Sequence, residues 1–276
     1  MGFSSVRLRG RWGCGIWMRM GKKEVLVTND DGFDSFFLRV LVDRLLEEFE
    51  VTVVAPDGEQ SWIGRGISRR GAIDCREDDA LGCRGWRIAG TPTDCVNIAL
   101  EHLLDKPPAA VVSGINLGFN TTVPLVLSSG TVAGALEGSF NGIPSIALSK
   151  IIPKEIFEEV RIAKGFVEGD FFESLENSAA HARDMVGQLV RGKWACRQGL
   201  VHNINFPVGV TASTPVQRTV PVNMKMAGLF ERQGDQFVFR YREGILPDDR
   251  PGTDVAALEE GEISHSIIDF TQIGVI

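Results

Sequence analysis

The sequence predicts an α/β protein built on a mostly parallel sheet covered on both faces, and three observations carry that prediction. Short apolar runs rich in β-branched residues alternate with segments of helical period. Several of those runs are almost continuously apolar, the pattern of strands buried on both sides. Each run ends at a turn signal rather than continuing into a hairpin.

Taken in order, Glu24 to Thr28 reads as a buried strand that stops at Asn29-Asp30-Asp31-Gly32. Leu38, Leu41, Val42, Leu45, Leu46 and Phe49 then recur at helical spacing opposite Arg39, Asp43, Arg44, Glu47 and Glu48, which makes an amphipathic helix. A second strand, Val51 to Ala55, stops at Pro56 and completes a βαβ unit whose crossover should be right-handed. Thr91-Pro92-Thr93-Asp94 announces a second helix, with Thr91 as cap, Pro92 at the first helical position and Asp94 closing a capping-box-like arrangement, and it should run to Leu104. Strand-like Ala109 to Ser113 follows, then a long Gly/Asn loop, a small-residue helix from about Thr131 to Phe140, and a strand from Ser145 to Ser149. Residues 174 to 191 read as helix and Leu200 to Phe206 as a further strand. From Pro215 the texture changes, and Gln233-Gly234-Asp235 before Gln236 to Tyr241 suggests a hairpin outside the main sheet, of the kind that serves assembly.

Three regions are therefore expected: residues 1–21 as an extension, 22–212 as the α/β domain and 213–276 as a C-terminal arm with its hairpin. The extension carries Arg7, Arg9, Arg11 and Arg19 with no acidic residue before Glu24. An organelle transit peptide, an overcalled start codon and a disordered tail all fit that composition.

The 276 residues are 43% hydrophobic and 24% charged, enough for a sizeable core. A net charge of −7 argues against sequence-independent binding of polymeric nucleic acid, which depends on Lys and Arg neutralising phosphates. Five cysteines, an odd number without a Cys-x-x-Cys pair, suggest neither a disulfide framework nor a zinc knuckle, and a reducing cytoplasm is the expected location. No apolar run approaches the roughly 18 residues of a membrane span.

In an open parallel sheet, ligands bind beyond the carboxyl ends of the strands, so the informative residues are those that follow each strand. After the first come Asn29, Asp30, Asp31 and Gly32; after the second, Asp57, Glu59, Gln60 and Ser61; after the third, Gly114, Asn116, Gly118 and Asn120. Two carboxylates with a hydroxyl and an amide carbonyl make a hard-oxygen shell suited to Mg²⁺ or Mn²⁺. Zinc is disfavoured, because His102, His181, His202 and His265 all lie elsewhere in the sequence. Taken alone, Asp-Asp-Gly is also what a solvated turn after a strand looks like. Ser128-Ser129-Gly130-Thr131 precedes a helix, which is the composition both of an anion site and of ordinary N-capping. Cys95 falls on an apolar helix face and reads as core rather than nucleophile. Arg65, Arg69, Arg70, Arg76, Arg84 and Arg87 form a basic segment that suits an anionic substrate or a solvated loop equally well. Neither a dinucleotide-binding nor a P-loop glycine pattern occurs.

Several of these stretches resemble, in order and spacing, the SurE survival protein family of 5′-nucleotidases. They are Val25 to Gly32 (Val-Leu-Val-Thr-Asn-Asp-Asp-Gly), Gly90 to Val96, Val112 to Asn116 and Ser129 to Val132, supported by Gly142 to Ser145, Asn203 to Pro207 and Gly252-Thr253-Asp254. The resemblance covers about residues 23 to 268. It implies a Rossmann-like three-layer α/β/α sandwich with a C-terminal arm used in dimerisation, and hydrolysis of nucleoside 5′-monophosphates by a homodimer or homotetramer with one divalent metal per subunit. By motif matching it places the metal ligands on Asp30, Asp31, Ser61 and Asn116, with the phosphate on Asn116, Ser129, Gly130 and Thr131. Asp30 and Asp31 become the catalytic candidates, Asp30 as the group that orients or deprotonates the nucleophile. The chain departs from the family pattern at Ser35-Phe36-Phe37, at Trp62-Ile63 beside Ser61, and at Thr121 to Leu127. The first departure predicts a more apolar mouth, and all three bear on substrate choice. The rival expectation is a nucleotide- or metabolite-binding homologue with little turnover.

Overall fold

The computed structural model describes residues 21–248 and 250–272. The expected N-terminal extension lies outside the described residues, apart from Gly21.

Eleven strands and seven α-helices follow one another along the described residues. The first half runs β1 (Glu24–Thr28), α1 (Phe36–Leu46), β2 (Glu50–Pro56), β3 (Cys75–Glu77), β4 (Arg84–Ile88), α2 (Pro92–Ile98), β5 (Val111–Leu117), α3 (Val123–Ser128) and α4 (Gly130–Phe140). The second half runs β6 (Ser145–Lys150), α5 (Phe157–Ile162), α6 (Gly169–Val190), β7 (Leu200–Phe206), β8 (Val216–Thr219), β9 (Phe230–Gln233), β10 (Gln236–Phe239), α7 (Asp254–Glu259) and β11 (Ile263–Asp269).

Nine strands form one sheet in the order β3-β4-β2-β1-β5-β6-β7-β11-β8, with β4, β2, β1, β5, β6 and β7 all parallel. Successive side chains on a strand point to opposite faces. Val25 and Val27 accordingly enter a core shared with α1 and α6, whereas Leu26 enters one shared with α2. The result is the Rossmann-like three-layer sandwich. On α1, burial of Phe37, Leu38, Val40, Leu41, Val42 and Leu45 contributes roughly 1.5–3 kcal/mol per large side chain, which holds that layer in place.

The chain passes outward from β1 to β2 and β4, then returns to lay β5 on the other side of β1. That reversal opens a crevice at the carboxyl ends of β1 and β5.

Local chemistry explains the helix starts. Thr91 Oγ1 accepts the Asp94 N–H at 3.2 Å while Asp94 Oδ2 accepts the Thr91 N–H at 2.9 Å, the reciprocal cap expected for α2. The helix then loosens, and Ala99–Leu103 form a π-helical turn before Pro107. α4 is buried along almost its whole length and carries glycines at 130, 134 and 138 on the side facing the sheet. A methyl at Gly138 would meet Val111 Cγ2 at 2.5 Å, so glycine is what allows so close an approach to β5.

Several elements differ from the sequence expectation. The basic segment read as a loop contains β3 and β4, because its charges are neutralised internally. Arg87, 13% exposed, pairs with Asp34 and Asp78 at 2.5 Å each and lies 4.4 Å over the Phe33 ring. Helix α6 starts at Gly169, five residues before the apolar period becomes visible in the sequence. Phe36 and Phe37, expected at the mouth of the site, pack inward: Phe37 is fully buried, and Phe36 rests against Phe166 and Phe172.

Residues 213–276 divide. β9 and β10 form an isolated antiparallel hairpin, as expected, but β11 runs antiparallel beside β7 and carries β8 on its outer edge. Polar residues disguise that pairing. Buried Ser264 and Ser266 both meet Thr219 Oγ1 at 2.8 Å, and buried His265 meets His202 Nδ1 at 2.9 Å beneath the Trp194 ring. Lys150 at the end of β6 is also fully buried, its ammonium donating to Ser174 Oγ, Pro207 O and Val208 O at 2.8, 3.0 and 3.1 Å. Among the described residues no helix is long and apolar enough to cross a membrane.

Candidate functional site

The turn after β1 is shaped by its own residues. Asn29 Nδ2 donates to Gly32 O at 2.9 Å, and Gly32 takes a φ of 95°, open to glycine and strained for other residues. A Cβ at Gly32 would stand 3.1 Å from Gly58, so the turns after β1 and β2 press together. The Gln60 N–H donates to Asp30 O at 2.7 Å and brings the Ser61 loop alongside.

Asp30 is 4% exposed and points at the start of α4, where Thr131 Oγ1 donates to its Oδ1 at 2.5 Å. A Cβ at Gly130 would sit 2.8 Å from Asp30 Cβ, so the glycine is the surface on which this carboxylate rests. Asp31 turns the other way, and its Oδ2 accepts the Leu117 N–H at 2.9 Å. That bond fixes the end of β5 and thereby Asn116, whose Nδ2 lies 3.8 Å from the Cβ position of Gly118. Ser61 Oγ donates to Glu59 Oε1 at 2.7 Å. Ser129 caps α4, its Oγ accepting the Val132 N–H at 3.0 Å, so the N-capping reading holds for this side chain.

The structure thus brings the three loops to one edge. Asp30, Gly130 and Thr131 touch, Asp31 is tied to the strand end that carries Asn116, and Ser61 is joined through its neighbour Gln60. A cleft of about 180 Å³ opens on the Asp31 side, lined also by Asp34, Asp57, Glu59, Arg161 and Lys164. Asp30, Ser61, Asn116 and the turn at Ser129 do not line it. The candidate site is the carboxylate pair, Asp30 buried and Asp31 half-buried where it borders the cleft, chosen for its chemistry rather than for the volume of the cleft. Sequence reasoning missed Arg161 and Lys164, which reach the rim from α5 and the turn after it, a segment without any motif.

Electrostatics sharpen the case. Burial pushes the Asp30 carboxyl up to about 6, against the lowering effect of the Thr131 hydrogen bonds. Asp31 is raised well above the usual carboxylate range by burial first and by the charge of Asp30 second. Nearby cations are committed elsewhere: Lys164 and Arg87 to Asp34, Arg161 to Glu59 and Glu158. Among the described residues no ion pair reaches Asp30 or Asp31. Two adjacent carboxylates without a counter-charge, Asp30 buried and Asp31 half-buried at the edge of the cleft, form a donor set that a divalent cation fits. Among the described residues no three His, Cys, Asp or Glu are arranged to hold a metal ion by themselves, so such an ion would need neutral oxygens from groups like Ser61 and Asn116 to complete its shell.

The loop between Asn116 and Ser129 is fastened from a distance. The Asn120 N–H donates to Asn205 Oδ1 at 2.8 Å, and Asn203 Nδ2 donates to Asn120 O at 2.8 Å. Fully buried Asp254 accepts the Thr122 N–H at 2.7 Å and the Val222 N–H at 3.0 Å. These are the motif residues at Asn203 to Pro207 and Gly252 to Asp254. They act on the shape of the loop, while the basic segment serves the fold: Arg65 pairs with Glu137 at 2.6 Å, and Arg76 with Asp57 at 2.6 Å. Cys95 is fully buried, as expected of a core residue.

The family model "Survival protein SurE" matches residues 25–233. A protein of Rhodospirillum rubrum named 5′-nucleotidase SurE is 34% identical over 276 aligned positions, covering 93% of this chain and 95% of that one. One of the same name from Natronomonas pharaonis is 36% identical over 256 positions, covering 88% and 91%. Among solved structures, the SurE protein from Aquifex aeolicus superposes with a TM-score of 0.69 at 26% identity, over 89% of this chain and 93% of that one.

Proposed function

The chain belongs to the survival protein SurE family, and from that premise we propose that it is a 5′-nucleotidase, a hydrolase that releases phosphate from nucleoside monophosphates. The observation that carries the reading is the pair of carboxylates without a paired cation at the sheet's reversal point, Asp30 buried and seated at the N-terminus of α4 and Asp31 half-buried at the edge of the cleft. We propose further that a divalent ion, Mg²⁺ or Mn²⁺, is held by Asp30, Asp31, Ser61 and Asn116. Bound there, it would polarise the phosphoryl oxygens and help to generate or orient the attacking water.

The chain's own groups account for the remaining roles. The phosphate is proposed to sit at the N-terminus of α4, at Ser129, Gly130 and Thr131, where the positive end of the helix dipole would meet the phosphoryl oxygens, with Asn116 binding there as well. Thr131 holds the Asp30 carboxylate by its hydroxyl, so Asp30 is positioned to orient or deprotonate a water. Water oxygen bonds to phosphorus, the ester bond to the 5′-oxygen breaks, and the alcohol leaves with a proton. In the assembled enzyme the hairpin β9-β10 is proposed as the contact between copies of a homodimer or homotetramer, through exposed Phe237 rather than through Phe230 and Phe239.

The test is phosphate release from a panel of nucleoside monophosphates with Mg²⁺ or Mn²⁺, repeated with chelator. Turnover abolished by chelator and by Asp31→Asn is expected. Hydrolysis that persists in Asp31→Asn removes the metal assignment, and nucleotide binding without turnover under every metal condition establishes the rival reading of a binding homologue.

A further inference from the structure

Beside Ser61, outside the hydrophobic core, stands a large aromatic residue. Trp62 takes a φ of 61°, in the left-handed region where a bulky side chain is strained. It is 38% exposed rather than buried in the core. The loop around it is fixed. The Gly64 N–H donates to Ser128 O at 2.9 Å, and Ile63 Cγ2 lies 3.2 Å from the Cβ position of Gly130. Trp62 therefore projects from the segment that joins the Ser61 hydroxyl to the turn at the start of α4.

Two further rings meet it there from far along the chain. Phe239, on β10, lies 5.2 Å from the Trp62 ring at 60°, and Tyr241 lies 5.8 Å from it at 45°. Phe230 backs Phe239 edge-on at 6.0 Å. Phe239 and Tyr241 are each 41% exposed. The rings are tilted rather than stacked closed, so flat apolar faces remain open to solvent beside the candidate phosphate turn. Such faces bind planar heteroaromatic rings by stacking, with little demand on ring identity.

We propose that Trp62, backed by Phe239 and Tyr241, is the platform that holds the purine or pyrimidine base of the substrate and so selects nucleotides over sugar phosphates that lack a base. The proposal rests on the 5′-nucleotidase reading above and adds the binding residue on the leaving-group side. It also gives the strain at Trp62 a purpose: the left-handed backbone turns the indole outward at the one loop that borders both the Ser61 ligand position and the anion turn.

The experiment compares wild type with Trp62→Gly and Phe239→Ala on a nucleoside 5′-monophosphate and on ribose 5-phosphate. Glycine suits the left-handed backbone, so Trp62→Gly should fold. For the nucleotide, KM should rise by about tenfold or more in Trp62→Gly with kcat little changed, and Trp62→Phe should recover most of the loss. For ribose 5-phosphate, KM should stay as in wild type. Equal effects on both substrates, or none on either, overturn the platform while leaving the phosphatase reading intact. A binding measurement separates the two failures. With chelator present, the nucleotide but not ribose 5-phosphate should quench the part of the tryptophan fluorescence that Trp62→Phe removes. Quenching together with no turnover when Mg²⁺ or Mn²⁺ is supplied keeps the platform and rejects the enzyme, whereas absence of quenching rejects the platform.

Discussion

Gly130 has no side chain, and the position of the Asp30 carboxylate depends on that. A methyl group there meets Asp30 Cβ at 2.8 Å and Oδ2 at 3.0 Å, with Ile63 Cγ2 close on the other side, so the carboxylate has to move. A displacement of about 1 Å at a reacting group costs about 10²-fold in rate. Gly130→Ala is accordingly expected to lower kcat/KM for a nucleoside monophosphate by about that factor and to weaken divalent-metal binding measured by calorimetry, with some loss of stability from the overpacking. At this scale the sequence was informative wherever chemistry is contiguous. Asn29 to Gly32 and Ser129 to Thr131 are short runs at the ends of elements, and the structure brings Asp30 and Thr131 into contact. Arg161 and Lys164 were illegible because they arrive at the cleft through tertiary structure alone. Phe36 and Phe37 misled for the same reason, since Phe36 packs on Phe166 and Phe172 and Phe37 on Phe171, all more than a hundred residues away.

Among the elements, helix α4 and strand β6 show how glycine and a buried cation set spacing at the sheet. Gly138→Ala drives a methyl into Val111 Cγ2 at 2.5 Å, and overpacking of this kind costs about 1–3 kcal/mol. Urea unfolding should register that loss. Lys150→Met keeps much of the side-chain volume but leaves the carbonyls of Pro207 and Val208 without their donor, again at about 1–3 kcal/mol. Burial without a carboxylate partner brings the Lys150 ammonium down to about 7, against 10.5 in an unfolded chain. The folded state thus disfavours the charged form, and this group's contribution to stability should increase as pH rises from about 7 toward 10.5, a trend that Lys150→Met removes. Strands β1, β2, β5 and β6 were legible as short runs rich in apolar and β-branched residues, and β7 because Leu200, Val201, Ile204 and Phe206 frame its polar positions. β4 and β11 were hidden because their burial is made possible by partners, Asp34 and Asp78 for Arg87, and Thr219 and His202 for the polar run at Ser264 to Ser266.

For the molecule as a whole, the sharpest acid sensitivity should come from the buried imidazole pair. Burial first, then the charges of His202 and Arg218, pull the His265 imidazole down to about 3 from 6.5, and burial lowers His202 too. The unfolded chain binds the proton more readily, so stability is retained above about 6.5 and declines as pH falls, at about 1.4 kcal/mol per unit for each proton, levelling off below about 3. Urea unfolding at pH 7 and pH 5 should show about 2 kcal/mol more loss in wild type than in His265→Gln. The parallel sheet followed from the alternation of apolar strands and helices, whereas its strand order and the closure of the sheet by β11 and β8 did not, because a pairing between distant strands leaves no local pattern. That closure governs when the protein becomes competent during its synthesis. Every candidate ligand lies between Asp30 and Thr131, yet the loop from Asn120 to Thr122 is anchored by Asn203, Asn205 and Asp254. At ribosomal speeds of about 5–20 residues per second, some 6–25 seconds separate the emergence of Thr131 from that of Asp254. Nascent chains stalled at residue 240 are therefore expected to bind nucleotide poorly and those released in full to bind it, making translation itself the clock that switches the site on.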